Sequence, residues 1–235
     1  LKLNDFMMTH DLINNPPKIL VIGDLMIDTY LWGSSNRISP EASVPVVKVH
    51  AENSLLGGAG NVISNLKSLG ADVDIISVIG ECNISNELIS LINGMDINSK
   101  YLIKEKNRIG SKKHRIISSQ QQVARYDIES TKEISNESEQ KILKIFCKTI
   151  NTYDCLLLSD YGKGVLTSSL TKKIIQIANN SSVKVLVDPK GLDYEKYNNA
   201  FLLTPNLKEA SEAIQIDIKN EDTLFKAITK IKSKH

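Results

Sequence analysis

An α/β fold with a mainly parallel central sheet is predicted by two observations. Short apolar runs that end in acids, Gly or Pro alternate with segments of helical period, and the first run, KILVI, leads directly into two carboxylates, Asp24 and Asp28. In order, the strands are read at Lys18–Ile22, Asp74–Ile79, Cys155–Ser159, Val183–Val187 and Phe201–Leu203. Between them, Asn61–Leu69 carries Val62, Leu66 and Leu69 on one face and stops at Gly70, as a helix does. Asn136 followed three residues on by Glu139 reads as a capping box for a helix through Leu143, Phe146 and Ile150. Ser168–Ala178 and Leu207–Ile216 read as further helices, and Asp222–Lys234 is amphipathic, with Leu224, Phe225, Ile228 and Ile231 on one face.

Two regions break this alternation. Val44–Val49 and Lys112–Asp127 are β-branched or polar and poor in helical period, so they are expected to form a separate small sheet. Placed over the ligand edge of the main sheet, such a layer would exclude water during group transfer. There is no internal repeat and no low-complexity linker.

Composition narrows the function. At 235 residues the chain can bury a full core, and a net charge of +2, from 29 basic and 27 acidic residues, gives no footprint for a nucleic-acid backbone. No apolar run approaches the ~20 residues of a membrane span. A soluble, cytoplasmic protein is expected, with neither nucleic acid nor membrane as partner. Cys82, Cys147 and Cys155 are odd in number and lack a paired motif, so they are read as reduced thiols in or near the core. His10, His50, His114 and His235 share no ligand spacing, and any metal is expected to arrive with a substrate.

Four motifs carry the chemistry. Asp24 and Asp28 sit where parallel sheets place their ligands and could each accept hydrogen bonds from neighbouring sugar hydroxyls; a helix cap or turn acid is the structural alternative. LGGAGN opens a helix with free N–H groups and close backbone approach, offering Gly57, Gly58 and Asn61, although a tight turn explains the glycines as well. LSDYGKG places Asp160 and Lys163 past a buried strand, where a lysine can meet a phosphate or simply face solvent. VDPKG and TPNLKE each follow a strand. Asn206 and Glu209, three apart at a helix start, can orient hydrated Mg²⁺ and nucleotide phosphate, form a capping box, or do both.

Together GDLMIDTYLWG, RISPEASVPVVKV, LGGAGN, LSDYGKG, VLVDPKG, YEKY and LLTPNLKE resemble, in order and context, the ribokinase-like carbohydrate kinases, and among them the kinases of D-glycero-β-D-manno-heptose 7-phosphate. The similarity runs from Lys18 to about Ala213. It implies a three-layer sandwich with a small β-sheet lid, drawn from about residues 36–52 and 108–127, in a kinase domain of residues 18–235 after an N-terminal extension of residues 1–17. It implies transfer of the ATP γ-phosphoryl group to the anomeric hydroxyl, giving the 1,7-bisphosphate on the route to ADP-heptose and the lipopolysaccharide core, with ATP and Mg²⁺ as cofactors. Another sugar kinase of the same fold, or a non-catalytic carbohydrate-binding protein, is the alternative.

The resemblance also implies roles. Asp28, Gly57, Gly58 and Asn61 would hold sugar hydroxyls, and Arg115, Arg125 and Lys163 the existing phosphate, with Asp24 and Asp160 kept as substrate-binding candidates from their strand-end positions. Asp188, Lys190, Asn206, Leu207, Lys208 and Glu209 would serve the nucleotide, Glu209 acting on Mg²⁺ indirectly. A homodimer through the lid strands is expected. The family's Gly-Ala-Gly-Asp motif, source of its anion hole and catalytic base, does not occur after Glu209, so the domain is expected to be C-terminally incomplete and very slow alone.

Overall fold

The computed structural model describes residues 15–234. Most of the expected N-terminal extension, with His10 and His235, lies outside the described residues.

The chain opens with β1 (Lys18–Gly23), whose residues alternate between the two faces of a sheet buried on both sides: Leu20 and Ile22 enter one apolar cluster and Val21 the other. That explains the uninterrupted KILVI run. The chain then leaves the main sheet at once, in two 14-residue strands, β2 (Leu25–Ile38) and β3 (Pro45–Gly58), before α1 (Ala59–Ser68), β4 (Asp72–Gly80) and α2 (Asn83–Asn93). Next come β5 (Leu102–Glu105), β6 (Ser111–Ser118), β7 (Gln121–Ile128) and α3 (Asn136–Thr149). The remainder is β8 (Cys155–Ser159), α4 (Ser168–Asn180), β9 (Lys184–Asp188), β10 (Leu202–Leu203), α5 (Leu207–Ile214) and α6 (Glu221–Lys234).

Two sheets result. The main one has six parallel strands in the order β10-β9-β8-β1-β4-β5, and the smaller has four in the order β3-β2-β6-β7. In the smaller sheet β2 runs parallel to β6, while the outer pairings are antiparallel. Helices α3 and α4 cover one face of the main sheet through Ile142, Phe146, Leu170 and Ile174, and α1 and α2 cover the other through Ile63, Leu88 and Ile92. This is a three-layer α/β/α sandwich with a β-layer beside it, as expected from the alternation.

Several details differ from the sequence reading. The smaller sheet takes in more chain than 36–52 and 108–127, because β2 and β3 pair along their whole length, from Leu25 opposite Gly58 to Ile38 opposite Pro45. Helix α2 and the four-residue β5 were not expected; α2 is rich in Ile and Leu and buries Leu88 and Ile92 one turn apart. The cap of α3 is Ser135, whose side chain accepts from the Ser138 N–H, not Asn136. Glu139 is not a cap partner. It is buried and accepts from the Thr167 hydroxyl, which joins α3 to the start of α4. Cys82 and Cys155 are half-buried, but Cys147 is exposed on α3. On α6 Ala227 is buried while Phe225 and Ile228 are exposed, and Leu224 and Ile228 share a groove with Phe201 and with Leu202 of the edge strand β10.

Candidate functional site

Everything singled out for chemistry gathers at the carboxyl ends of β1, β8, β9 and β10, where the smaller sheet rises beside the main one. Two corners are distinct.

At the first corner, a cleft of about 780 Å³ opens between the smaller sheet and the starts of α1 and the end of α2, with Asp28, Tyr30, Gly58, Asn61, Lys113, Arg115 and Tyr161 among its walls. Asp28 lies within β2, not at the end of β1 where the sequence placed it, and its Oδ1 accepts from the Arg115 guanidinium at 2.6 Å. Strand alternation arranges this corner: Asp28 and Tyr30 are two apart on β2, Lys113 and Arg115 two apart on β6, and the register sets Asp28 beside Lys113 and Tyr30 beside Arg115. The guanidinium also sits over the Tyr30 ring, 5.4 Å from its centroid. Gly57 leaves room for the acid, since a Cβ there would fall 2.4 Å from Asp28 Oδ2. Gly58 caps α1 with φ +58°, and Asn61 stands exposed in its first turn.

Asp24 requires a correction. It is 1% exposed and does not line the cleft; its carboxylate accepts from the backbone N–H groups of Tyr161, Lys163 and Val165 at 2.9, 3.1 and 3.0 Å. Three hydrogen bonds commit both of its oxygens to the loop after β8, away from the cleft. Burial, then the nearby charge of Asp160, pushes its carboxyl above the ordinary range, against the pull of the three amides. Asp160 is likewise turned inward. It is 3% exposed and accepts from Lys196 Nζ at 2.6 Å, Tyr197 Oη at 2.7 Å and the Gly162 N–H at 2.7 Å. Both acids shape the loop that carries Lys163. Arg108, buried and unnoticed in the sequence, completes the frame by donating to the Lys163 and Lys132 carbonyls.

The charged side chains beside the cleft form an alternating chain. Lys163 Nζ meets Glu129 Oε1 at 2.7 Å, Lys113 Nζ meets Glu129 Oε2 at 3.0 Å and Asp127 at 3.4 Å, and Asp127 in turn holds Arg125. Arg125 is exposed and points at Asp127, not into the cleft. The Arg125 hydrogen bond, joined by the charge of Lys113, holds the Asp127 carboxyl well below the usual range. Lys113, Glu129, Tyr30, Tyr161 and Arg108 were missed in the sequence. Lys113 had a usable signal, being two residues from Arg115 in a strand.

At the second corner, past β9 and β10, Asn206 caps α5 in a reciprocal box: the Glu209 N–H donates to Asn206 Oδ1 at 2.9 Å and the Asn206 N–H to Glu209 Oε2 at 3.0 Å. Glu209 Oε1 accepts from Lys190 Nζ at 2.9 Å. Burial raises the Glu209 carboxyl, but the bonds from Lys190 and Asn206 outweigh it and leave it below its ordinary value. Asp188, half-buried at the end of β9, is pushed up by burial and by the Glu209 charge. Leu207 and Lys208 are exposed on the first turn of α5. Two carboxylates thus face one ammonium here, a surplus of negative charge suited to a cation. Among the described residues no cluster of three metal-ligating side chains occurs, and no helix is long and apolar enough to cross a membrane.

Known proteins resemble this chain in sequence and in fold. Residues 16–235 match the family described as pfkB family carbohydrate kinase. Curated relatives include the "Bifunctional protein HldE" of Aliarcobacter butzleri, 59% identical over 95% of this chain and 47% of the relative, and that of Sulfurimonas denitrificans, 50% identical over 92% and 45%. The chain spans about half the length of these relatives. Similar solved structures include Escherichia coli phosphofructokinase-2 in a tetrameric inhibited form, with a TM-score of 0.69 and 16% identity over 92% of this chain and 69% of that one. Arabidopsis thaliana ribokinase complexed with ribose and ATP gives a TM-score of 0.65 at 16% identity over 93% and 69%. These two similarities establish a shared, ribokinase-like fold.

Proposed function

The chain belongs to the pfkB family of carbohydrate kinases, and from that premise we propose that it is the sugar-binding part of a kinase that transfers the ATP γ-phosphoryl group to the anomeric hydroxyl of D-glycero-β-D-manno-heptose 7-phosphate. The product would be the 1,7-bisphosphate, made in the cytoplasm for ADP-heptose and the lipopolysaccharide core. The observation that carries the reading is the pairing of Asp28 with Arg115 in the cleft: an acid for hydroxyls beside a cation for a phosphate. The identity to relatives named HldE supports the heptose over other sugars.

In this reading Asp28 and Asn61 bind sugar hydroxyls over the backbone of Gly58, with Gly57 making space, and Arg115 and Lys163 take the phosphate already on the sugar. Arg125, tied to Asp127, adds charge and not a direct contact. The second corner takes the nucleotide: Lys190 for phosphate, the exposed first turn of α5 with Asn206, Leu207 and Lys208 beside it, and Asp188 and Glu209 for hydrated Mg²⁺. The carboxylate surplus there fits that ion. When bound, Mg²⁺ neutralises phosphate charge during in-line transfer. The protein residues orient the two substrates and exclude water. A homodimer through the smaller sheet is supported by its exposed apolar side chains, Val49 and Leu55 on β3 and Val123, Tyr126 and Ile128 on β7.

The test is calorimetric titration of the folded chain with the heptose 7-phosphate, fructose 6-phosphate and ribose. Saturable binding that prefers the heptose phosphate is the expected result. Equal or tighter binding of fructose 6-phosphate or ribose would move the protein to another sugar kinase of this fold, and no binding at all would contradict a sugar site built from these residues.

A further inference from the structure

Glu129 follows β7 and spans three parts of the molecule. Its two oxygens bind one lysine each, Lys163 from the loop after β8 and Lys113 from β6, so the two ammonium groups are neighbours across one carboxylate. The side chains involved are only 16%, 14% and 26% exposed for Lys163, Lys113 and Glu129, so these contacts are less screened than ordinary surface pairs. Lys113 also has Asp127 at 3.4 Å. It lines the cleft and stands on the same strand face as Arg115. The Lys163 backbone cannot shift to follow a ligand, because its N–H is held by Asp24 and its carbonyl by Arg108. Only its ammonium is free to be steered, and Glu129 steers it.

Resting on the sugar-phosphate reading above, we propose that Lys113 is a second lysine ligand of the sugar's phosphate and that Glu129 is the positioning residue that keeps Lys113 and Lys163 converged. Four cations, Lys113, Arg115, Lys163 and Arg125, face three anions, Asp28, Glu129 and Asp127, within this group. When Asp28 turns to sugar hydroxyls, Arg115 is released, and the surplus of positive charge falls where a phosphate would bridge the two lysines and the arginine. Without Glu129, Lys163 loses its carboxylate partner, Lys113 keeps only Asp127, and the two ammonium groups repel and splay apart.

The experiment compares wild type, Lys113→Gln, Lys113→Arg and Glu129→Gln in calorimetric titrations with the heptose 7-phosphate, fructose 6-phosphate and unphosphorylated heptose. Lys113→Gln is expected to weaken the phosphorylated sugar about tenfold or more, the worth of one charge-assisted hydrogen bond, and to leave unphosphorylated heptose within about twofold. Lys113→Arg should restore most of the loss. Glu129→Gln should weaken only the phosphorylated sugar, by about threefold to tenfold. A merely structural role would lower all ligands together, and that result, or no change in either variant, overturns the proposal. Tighter phosphate binding by Glu129→Gln would make Glu129 a competitor of the ligand and overturn its positioning role. If wild type prefers fructose 6-phosphate, the heptose reading fails while the same ratios still judge Lys113 and Glu129; if phosphorylation makes no difference to wild type, this proposal fails with the sugar-phosphate site.

Discussion

Asp24 and Asp28 stand four residues apart in one motif, yet the structure gives them opposite surroundings. Asp24 is enclosed by the loop after β8 and its carboxylate is consumed by three backbone amides, whereas Asp28 lies on β2 at a cleft wall with a single guanidinium partner. What separates them is the partner available. Backbone amides that converge from a loop of fixed shape turn an acid into part of the frame; a mobile side-chain cation leaves it able to exchange partners.

Substituting the two acids should therefore break different properties. Asp24→Ala takes the acceptor from three N–H groups, the buried one of Val165 and the part-buried ones of Tyr161 and Lys163, and is expected to cost about 2–3 kcal/mol of stability, after allowance for the relieved repulsion from Asp160, measured by urea unfolding. Asp28→Ala is expected to change stability by less than about 1 kcal/mol, since it removes one part-exposed pair, but to weaken sugar binding about 10- to 100-fold by calorimetry. If Asp24→Ala folds at wild-type stability and loses sugar affinity, the assignment of the two acids is reversed.

The second corner sharpens the contrast, because there one carboxylate has both kinds of partner. Asn206→Ala removes half of the capping box of α5 and should cost about 1 kcal/mol, read as a shift in the urea midpoint. The smallest effect is one of pH. Lys163 first, then Lys113, holds the Glu129 carboxyl below its ordinary value of 4.5, against burial, so the clasp contributes stability that is full above 4.5 and is lost as pH falls through the lower folded value. Melting-temperature differences between wild type and Glu129→Gln should be largest near pH 7 and shrink as the pH drops below about 4. A difference that grows in acid would contradict the ion bridge.

How far the sequence could be read follows the same division. Five of the six strands of the main sheet were legible because each is a local apolar run, whereas the short β5, LIKE, is not; the capping box of Asn206 and Glu209 was legible because its two members lie three residues apart. Asp28, Asn61 and Arg115, singled out in the sequence, line one cleft, although β2 was not seen to continue through Asp28. Asp24 and Asp160 were misplaced because nothing local tells whether an acid at a strand end meets a ligand or turns inward; for Asp24 that depends on Tyr161, Lys163 and Val165, more than a hundred residues later, and for Asp160 on Lys196 and Tyr197. Lys113 and Glu129 were hidden for a related reason. Their link joins two strands of one sheet to a loop of the other, and only the alternation with Arg115 hinted at it.

The most direct test of this division is to follow backbone and side-chain NMR shifts while the heptose 7-phosphate is titrated into the labelled chain. The account predicts that Asn61, Arg115 and the residues flanking Asp28 shift with saturation, while the Tyr161 and Val165 amides keep their hydrogen-bonded shifts on Asp24. Release of those two amides on ligand binding, with Asp28 and Arg115 unmoved, would contradict it.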